Sequence, residues 1–322
     1  MKERKNSFVL SSTTSVLLLG AIAKFALHLY YAPEYGFFGD ELYTIALSRH
    51  LAFGYVDLPP LVPALVALSR ALLGDSLFVH HIFPALAGAA TLVFIGLITK
   101  EFGGKTFAML LSVLAFIAGP IWLGLDSFFG YDAFDQLVLA GFLYVLVCFL
   151  RSGNRRLWLL LGLIAVIACL TKMTILFLGP GFLVALLISK YRKDLLTPWP
   201  WLGAVICVVV VSPYLFWQVA NGWPTLEYWT NYGTIRMGDR PSILEFLTVV
   251  LIIVGLLLLP LWLAGLYRIF RRLDGVDYSF LGWMFGATAV TLFLRNTKTT
   301  MLLELYIPLL AAGAVLVEEL AT

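Results

Sequence analysis

Apolar residues run along this chain in blocks of 16 to 25, broken by short polar turns, with little of the period-two alternation that marks strands. A helix needs about 20 apolar residues to cross a hydrocarbon core of roughly 30 Å. By that measure the pattern predicts membrane spans near 8–31, 77–99, 106–125, 133–150, 156–171, 173–189, 199–218, 243–267, 279–294 and 299–318. The fold class is therefore all-α, a polytopic membrane protein of about ten transmembrane helices. The segment 59–74 is shorter, opens with Pro59 and Pro60 and carries Arg70, so with 40–53 it is read as a pair of helices lying in the interface.

Charge selects the direction. With Met1 inside and the two interfacial helices outside, the inner loops hold fourteen of the 22 basic residues, among them Lys2, Arg4, Lys5, Lys100, Lys105, Arg151, Arg155, Arg156, Lys190, Arg192 and Lys193. The outer side receives seven, namely Arg49, Arg70, Lys172, Arg236, Arg240, Arg295 and Lys298, and Lys24 stays within the first span. Counting 59–74 as a crossing would put the RSGNRR and KYRKD loops outside, against the positive-inside rule. Composition agrees with a membrane protein, with 61% hydrophobic and 13% charged residues and a mean hydropathy of +0.93. The first apolar run lacks a small-residue cleavage pattern and is expected to remain as an anchor. A prokaryotic plasma membrane is the expected location, although an endomembrane fits the same pattern. The net charge of +3 gives no reason to expect nucleic acid. Cys148, Cys169 and Cys207 all lie in apolar runs and make no disulfide framework.

The outer face gathers the candidate chemistry. In GDELYTIALSRHLAFG, Asp40 suits a helix cap and Glu41 falls in the first turn, where the helix dipole favours negative charge. Capping alone would need only one acid, and two beside a bilayer are costly. Asp40, Thr44 and Ser48 fall on one stripe, expected to face a wet cavity, with Tyr43, Leu47 and Leu51 beside it. Further on, Asp132 and Asp135 share a face at the start of a helix, close enough to hold one ligand or cation. Lys172, in the ACLTKMT break, faces outward with no acidic neighbour in sequence, and Arg295 with Lys298 brackets the last outer turn. An anionic head group such as a phosphate would satisfy these cations, as would snorkelling to the interface. Glu304, near the outer end of the last span, either projects into the same cavity or pairs with a cation. His80 and His81 are adjacent and cannot share one helical face, so they give no zinc pair.

Six fragments, GDELYTIA, DLPPLVPAL, GYDAFDQL, ACLTKMTILFLGPG, SPYLFWQVANGWPT and KTTMLLELYIPLLAAGAV, follow one another in an order that resembles the membrane glycosyltransferases related to dolichyl-phosphate-mannose protein mannosyltransferases. The resemblance runs over nearly the whole chain, 1–322, as a single transmembrane domain. It implies a C-type glycosyltransferase fold, a catalytic first outer loop (32–76), a polyprenyl-phosphate sugar as donor and a lipid, glycan or protein acceptor. It carries the acceptor-activating acid to Asp40 with Glu41 as neighbour, the second aspartate to Asp132, and the carrier-gripping lysines to Lys172 and Lys298. Glu41 and Asp132 would orient Asp40 or the acceptor, either directly or through a divalent cation, and no nucleotide site is needed. Two departures stand out: Thr299 and Thr300 replace the aromatic residues common after the late lysine, and relatives usually continue beyond the point where this chain stops, at Thr322. A transporter or lipid flippase, or a membrane subunit without catalysis, is the rival reading. Transporters, however, usually hold their ionisable groups near the midplane, whereas here they gather at one face.

Overall fold

The structure, a computed structural model, describes residues 11–34, 36–232, 240–273 and 275–322. Lys2, Arg4, Lys5 and Arg236, and the first residues of the 8–31 span, lie outside the described residues. Among the described residues the chain is helical, with only an isolated bridge between Leu273 and Val276 outside that pattern. In order, the helices are α1 Ser12–Tyr31, α2 Gly39–Ser48, α3 Leu61–Leu73, α4 Leu77–Glu101, α5 Thr106–Ala118, α6 Pro120–Leu125, α7 Tyr131–Ser152 and α8 Leu157–Thr171. They continue with α9 Thr174–Ile188, α10 Pro198–Ala220, α11 Pro224–Asn231, α12 Ile243–Ile252, α13 Leu259–Ile269, α14 Ser279–Arg295 and α15 Tyr306–Ala321. Short 3-10 turns follow α9 (Lys190–Leu196) and precede α15 (Thr299–Leu305).

Helix occupies each of the ten predicted spans, but ten full crossings are not reached. Among the described residues five helices are individually long and apolar enough to cross, rising to seven if two bent pairs each count as one span. The shortfall has local causes. Gly119 and Pro120 split the 106–125 block into α5 and α6, and Gly255, at φ 107°, breaks the 243–267 block into helices bent by 82°. A residue with a Cβ strongly resists that φ, so the break is encoded by the glycine.

The helices pack in a row in which α10 lies on α8, α8 on α7, α7 on α4, and α4 on α1 and α15. Alongside, α13 lies on α15 and α14 on α9. Without a hydrophobic drive between helices in lipid, close approach through small residues does the work. A Cβ on Gly265 would collide with the Leu309 carbonyl of α15, and one on Gly313 with the Leu261 carbonyl of α13. Glu318 of α15 reaches the start of α5, where its carboxylate accepts from the backbone N–H groups of Lys105, Phe107 and Ala108 at 2.7, 2.9 and 3.0 Å. That satisfies donors a helix start would otherwise leave unpaired.

Lys24, the one cation inside the first span, is fully buried and pairs at 2.8 Å with Asp126, itself fully buried. Asp126 also accepts from the Gln136 amide of α7 at 3.1 Å. Asp126 therefore lies in the interior of the bundle, where it neutralises the cation of the first span. Cysteines that replace Ala52 and Ser152, both exposed, in a background without the native three, are expected to react with a membrane-impermeant maleimide from opposite sides. Labelling of both from one side would contradict the direction argued from charge.

Candidate active site

The interfacial pair α2 and α3 is held against the start of α7 by a small apolar cluster of Ile45, Val62, Val66 and Phe129, with Tyr131 and Phe134 packed on it. This docking brings the acids of the first loop to the mouth of α7. Helix α2 starts at Gly39, with Phe38 in the capping position, so Asp40 is not the cap. Glu41 does that work instead. Its Oε2 accepts from the Phe38 N–H at 3.3 Å, its Oε1 from the Phe129 N–H at 3.1 Å, and His81 Nε2 lies 3.6 Å away. A buried carboxylate that accepts backbone N–H groups ties two loops together.

Of the stripe expected to face a wet cavity, Thr44 and Ser48 are buried with Glu41 and Ile45 and only Asp40 is exposed, while Leu42 and Tyr43 beside it are exposed as well. Ser48 is drawn inward by Arg70, whose Nη1 donates to its hydroxyl at 3.1 Å, and Arg70 is itself fixed by Asp75 at 2.7 Å. Asp40 alone of the pair is exposed, and among the described residues its carboxylate has neither an ion pair nor a hydrogen bond. The two acids thus differ: the Glu41 carboxylate ties the loop together, and the Asp40 carboxylate stays exposed.

Lys172 leaves α8 in an extended conformation before α9 begins. Its ammonium donates to Asp132 Oδ1 at 2.6 Å, lies 3.9 Å from Asp135 Oδ2 and sits 5.3 Å above the centre of the Tyr131 ring. The cation without an acidic neighbour in sequence therefore has two in space, contributed by a helix 40 residues upstream. Burial alone would lower the pKa of Lys172, but the Asp132 and Asp135 carboxylates outweigh it and hold it above the ordinary lysine value. It stays charged throughout the physiological range.

Glu304, buried in the turn before α15, is within electrostatic reach of both Lys172 and Asp135. Asp40, Asp132 and Lys172 all lie within electrostatic reach of the Tyr131 phenol, where the first loop and the α7 cluster converge. Lys298 stands 5.1 Å over the Tyr232 ring. Arg295 lines a neighbouring apolar cavity of about 420 Å³, together with Met173, Phe177, Trp223, Trp229 and Gln218.

The NGWPT stretch, which the sequence did not mark as part of the site, walls this cavity through Trp223 and Thr225. Trp223 adopts φ 62°, ψ 50°, a left-handed conformation that is a true outlier for a bulky residue. The Gln218 amide steadies the turn by donating to Thr225 Oγ1 at 2.5 Å while its carbonyl accepts the Thr225 N–H at 3.2 Å. Thr225 Oγ1 in turn donates to the Tyr55 carbonyl of the first outer loop at 3.2 Å. The signal available in sequence was the density of Trp and Pro beside a polar turn.

A divalent cation between Glu41 and Asp132 does not fit this geometry. Glu41 is spent on backbone N–H groups, Asp132 on Lys172, and among the described residues no three Asp, Glu, His or Cys side chains are grouped to hold a metal.

Comparison with known proteins follows this layout. The sequence model for dolichyl-phosphate-mannose-protein mannosyltransferases matches residues 57–217, half of the chain. The chain belongs to this family. Asp132, Asp135 and Lys172 lie within the matched stretch, while Asp40 and Glu41 precede it. A curated relative, the lipid A galacturonosyltransferase RgtD of Rhizobium johnstonii, is 24% identical over 303 residues, covering 87% of this chain and 59% of the relative. Among solved structures, ArnT from Cupriavidus metallidurans bound to undecaprenyl phosphate superposes with a TM-score of 0.70 at 18% identity, over 95% of this chain and 60% of that one. Its apo state gives 0.64 at 18% identity, over 94% and 58%. The family member described here therefore shares the ArnT fold and spans about three fifths of the length of these relatives.

Proposed function

We propose that the chain transfers a sugar from a polyprenyl-phosphate donor to a hydroxyl group of a lipid acceptor at the membrane face that bears Asp40. One observation carries the reading. A permanently charged lysine, Lys172, stands at the mouth of α7, and the next residue, Met173, lines an apolar cavity with a guanidinium in its wall. A phosphate attached to an isoprenoid chain has the same two parts. That ArnT was solved with undecaprenyl phosphate and that RgtD is named for action on lipid A support the donor class and the lipid acceptor.

In this mechanism Asp40 takes the proton of the acceptor hydroxyl while its oxygen attacks the anomeric carbon. The bond from that carbon to the phosphate oxygen breaks, and the electron pair leaves with polyprenyl phosphate. Displacement in one step inverts the anomeric configuration. A general base must come within hydrogen-bond reach of the proton it removes, which an exposed, unpaired carboxylate at a rim can do and a buried one such as Glu41 cannot. Lys172 and Arg295 stabilise the charge that grows on the departing phosphate, more strongly beside lipid than in water. Glu41 acts as a positioning residue through the Phe38 and Phe129 backbone.

Because Lys172 already has a partner, its removal leaves Asp132 and Asp135 facing each other without a cation. Lys172→Met is expected to lower the thermal midpoint of unfolding as well as turnover, and the added substitution Asp132→Asn to restore much of the stability, with a coupling of about 1 kcal/mol for so partly exposed a pair. A midpoint that does not recover would remove the pair from the account. The function itself is tested by mass spectrometry of glycolipids from cells with and without the gene. Loss of one sugar from a lipid species is expected, whereas identical glycolipid profiles would leave the lipid acceptor without support.

A further inference from the structure

The end of α7 away from Asp132 carries a second built feature, about 30 Å from the candidate active site by the rise of a 22-residue helix. A cavity of about 780 Å³ is lined there by Arg151, Arg155, Arg156, Lys190 and Lys193, with Asp194 as its one carboxylate. Asp194 is already spent. Its Oδ1 accepts from Arg155 Nε at 2.9 Å and its Oδ2 from the Trp158 indole at 3.1 Å. Arg151 is paired with Glu101 at 3.6 Å, but among the described residues the side chains of Arg156 and Lys193 have neither ion pair nor hydrogen bond, so the cavity keeps an excess of positive charge. The positive-inside rule accounts for cations on this side; it does not account for a cavity, or for what adjoins it.

Trp158 joins the cavity to an apolar groove. While its N–H holds Asp194, its ring lines a second space of about 350 Å³ beside the α8–α10 contact, walled also by Leu178 and Phe182 of α9 and by Phe142, Gly203 and Ala204. The two helices touch there at Gly162 and Gly203, where a Cβ on either would strike the other's backbone. Ala204 and Val208 are exposed on the lipid side. A cationic head site thus adjoins an apolar groove, the two being joined by the Trp158–Asp194 hydrogen bond.

We propose that this face binds an anionic phospholipid, its phosphate among Arg155, Arg156 and Lys193 and an acyl chain along the α8–α10 groove. A free phosphate would leave the groove unused, and a zwitterionic head would bring its own cation into the excess of positive charge. Clusters of basic residues beside a membrane helix attract anionic lipid in this way.

The test uses the purified full chain, titrated with short-chain phosphatidylglycerol, phosphatidylcholine or inorganic phosphate, and read by native mass spectrometry and by thermal midpoint. Phosphatidylglycerol alone is expected to be retained and to stabilise. The double variant Arg156→Gln, Lys193→Gln should weaken it on the order of tenfold, and Ala204→Trp, which fills the groove from the lipid side without touching the cations, should weaken it as well. Equal retention of phosphatidylcholine, equal stabilisation by inorganic phosphate, or unchanged phosphatidylglycerol binding in both variants would overturn the proposal.

Discussion

Replacement of Asp40 by asparagine is expected to lower sugar transfer on the order of 100-fold or more, with the thermal midpoint unchanged. The two halves of that result come from different parts of the geometry. The side chain is exposed and makes no ion pair or hydrogen bond among the described residues, and the backbone N–H of Phe38 at the helix start is taken by Glu41, so the fold loses nothing when the charge goes. Asparagine keeps the size and first-turn compatibility of aspartate but cannot accept the acceptor's proton. Glu41→Gln should behave oppositely. It weakens the hydrogen bonds to Phe38 and Phe129 that fix the loop, so expression and midpoint fall together with activity. A neutral Asp40→Asn variant that still turns over would reassign the base.

A comparably large effect is expected from Lys24→Met, far from any substrate. Both Lys24 and Asp126 are fully buried, and the pair is closed by the Gln136 amide and by the Phe116 ring, 4.8 Å from the Lys24 ammonium. Breaking a buried pair by removal of one partner costs about 3–5 kcal/mol, because the other charge remains without compensation. The thermal midpoint in detergent should fall by on the order of 10 °C. Replacing both partners, Lys24→Met with Asp126→Asn, should recover most of the loss, since apolar or neutral isosteres of a buried pair are often tolerated. A single variant as stable as the parent would mean that water reaches Asp126.

The sequence was most informative where physics acts locally. The long apolar blocks forecast α4, α7 and α10 within a few residues, because crossing a membrane leaves a helix few other solutions. The pair of short helices with Pro59 and Pro60 between them was legible for the same reason. The candidate site was legible as a list of residues on one side, and the family-like motifs gave Asp132 and Lys172 their context. What could not be read was partnership. Nothing in the order of residues says that Lys172 meets Asp132 rather than waiting for a ligand, that Lys24 is neutralised by an acid from a distant loop, or that Glu41 turns inward while Asp40 turns out. Those outcomes depend on tertiary packing: the first on how the α8–α9 break meets α7, the second on how α1 meets the turn after α6, and the third on how α2 and α3 dock on α7 through four buried side chains. The number of crossings was harder to read, for a different reason. A single glycine such as Gly255 breaks a helix without interrupting the hydrophobic pattern that predicts it.

The central claim is tested most directly by reconstituting the chain in lipid nanodiscs with a synthetic polyprenyl-phosphate sugar and a lipid acceptor, and measuring polyprenyl phosphate released together with the anomeric configuration of the product. The account predicts release matched one for one by a glycosylated lipid of inverted configuration, reduced on the order of 100-fold in Asp40→Asn. A product of retained configuration, or folded protein that releases no polyprenyl phosphate above the background without protein, would contradict it.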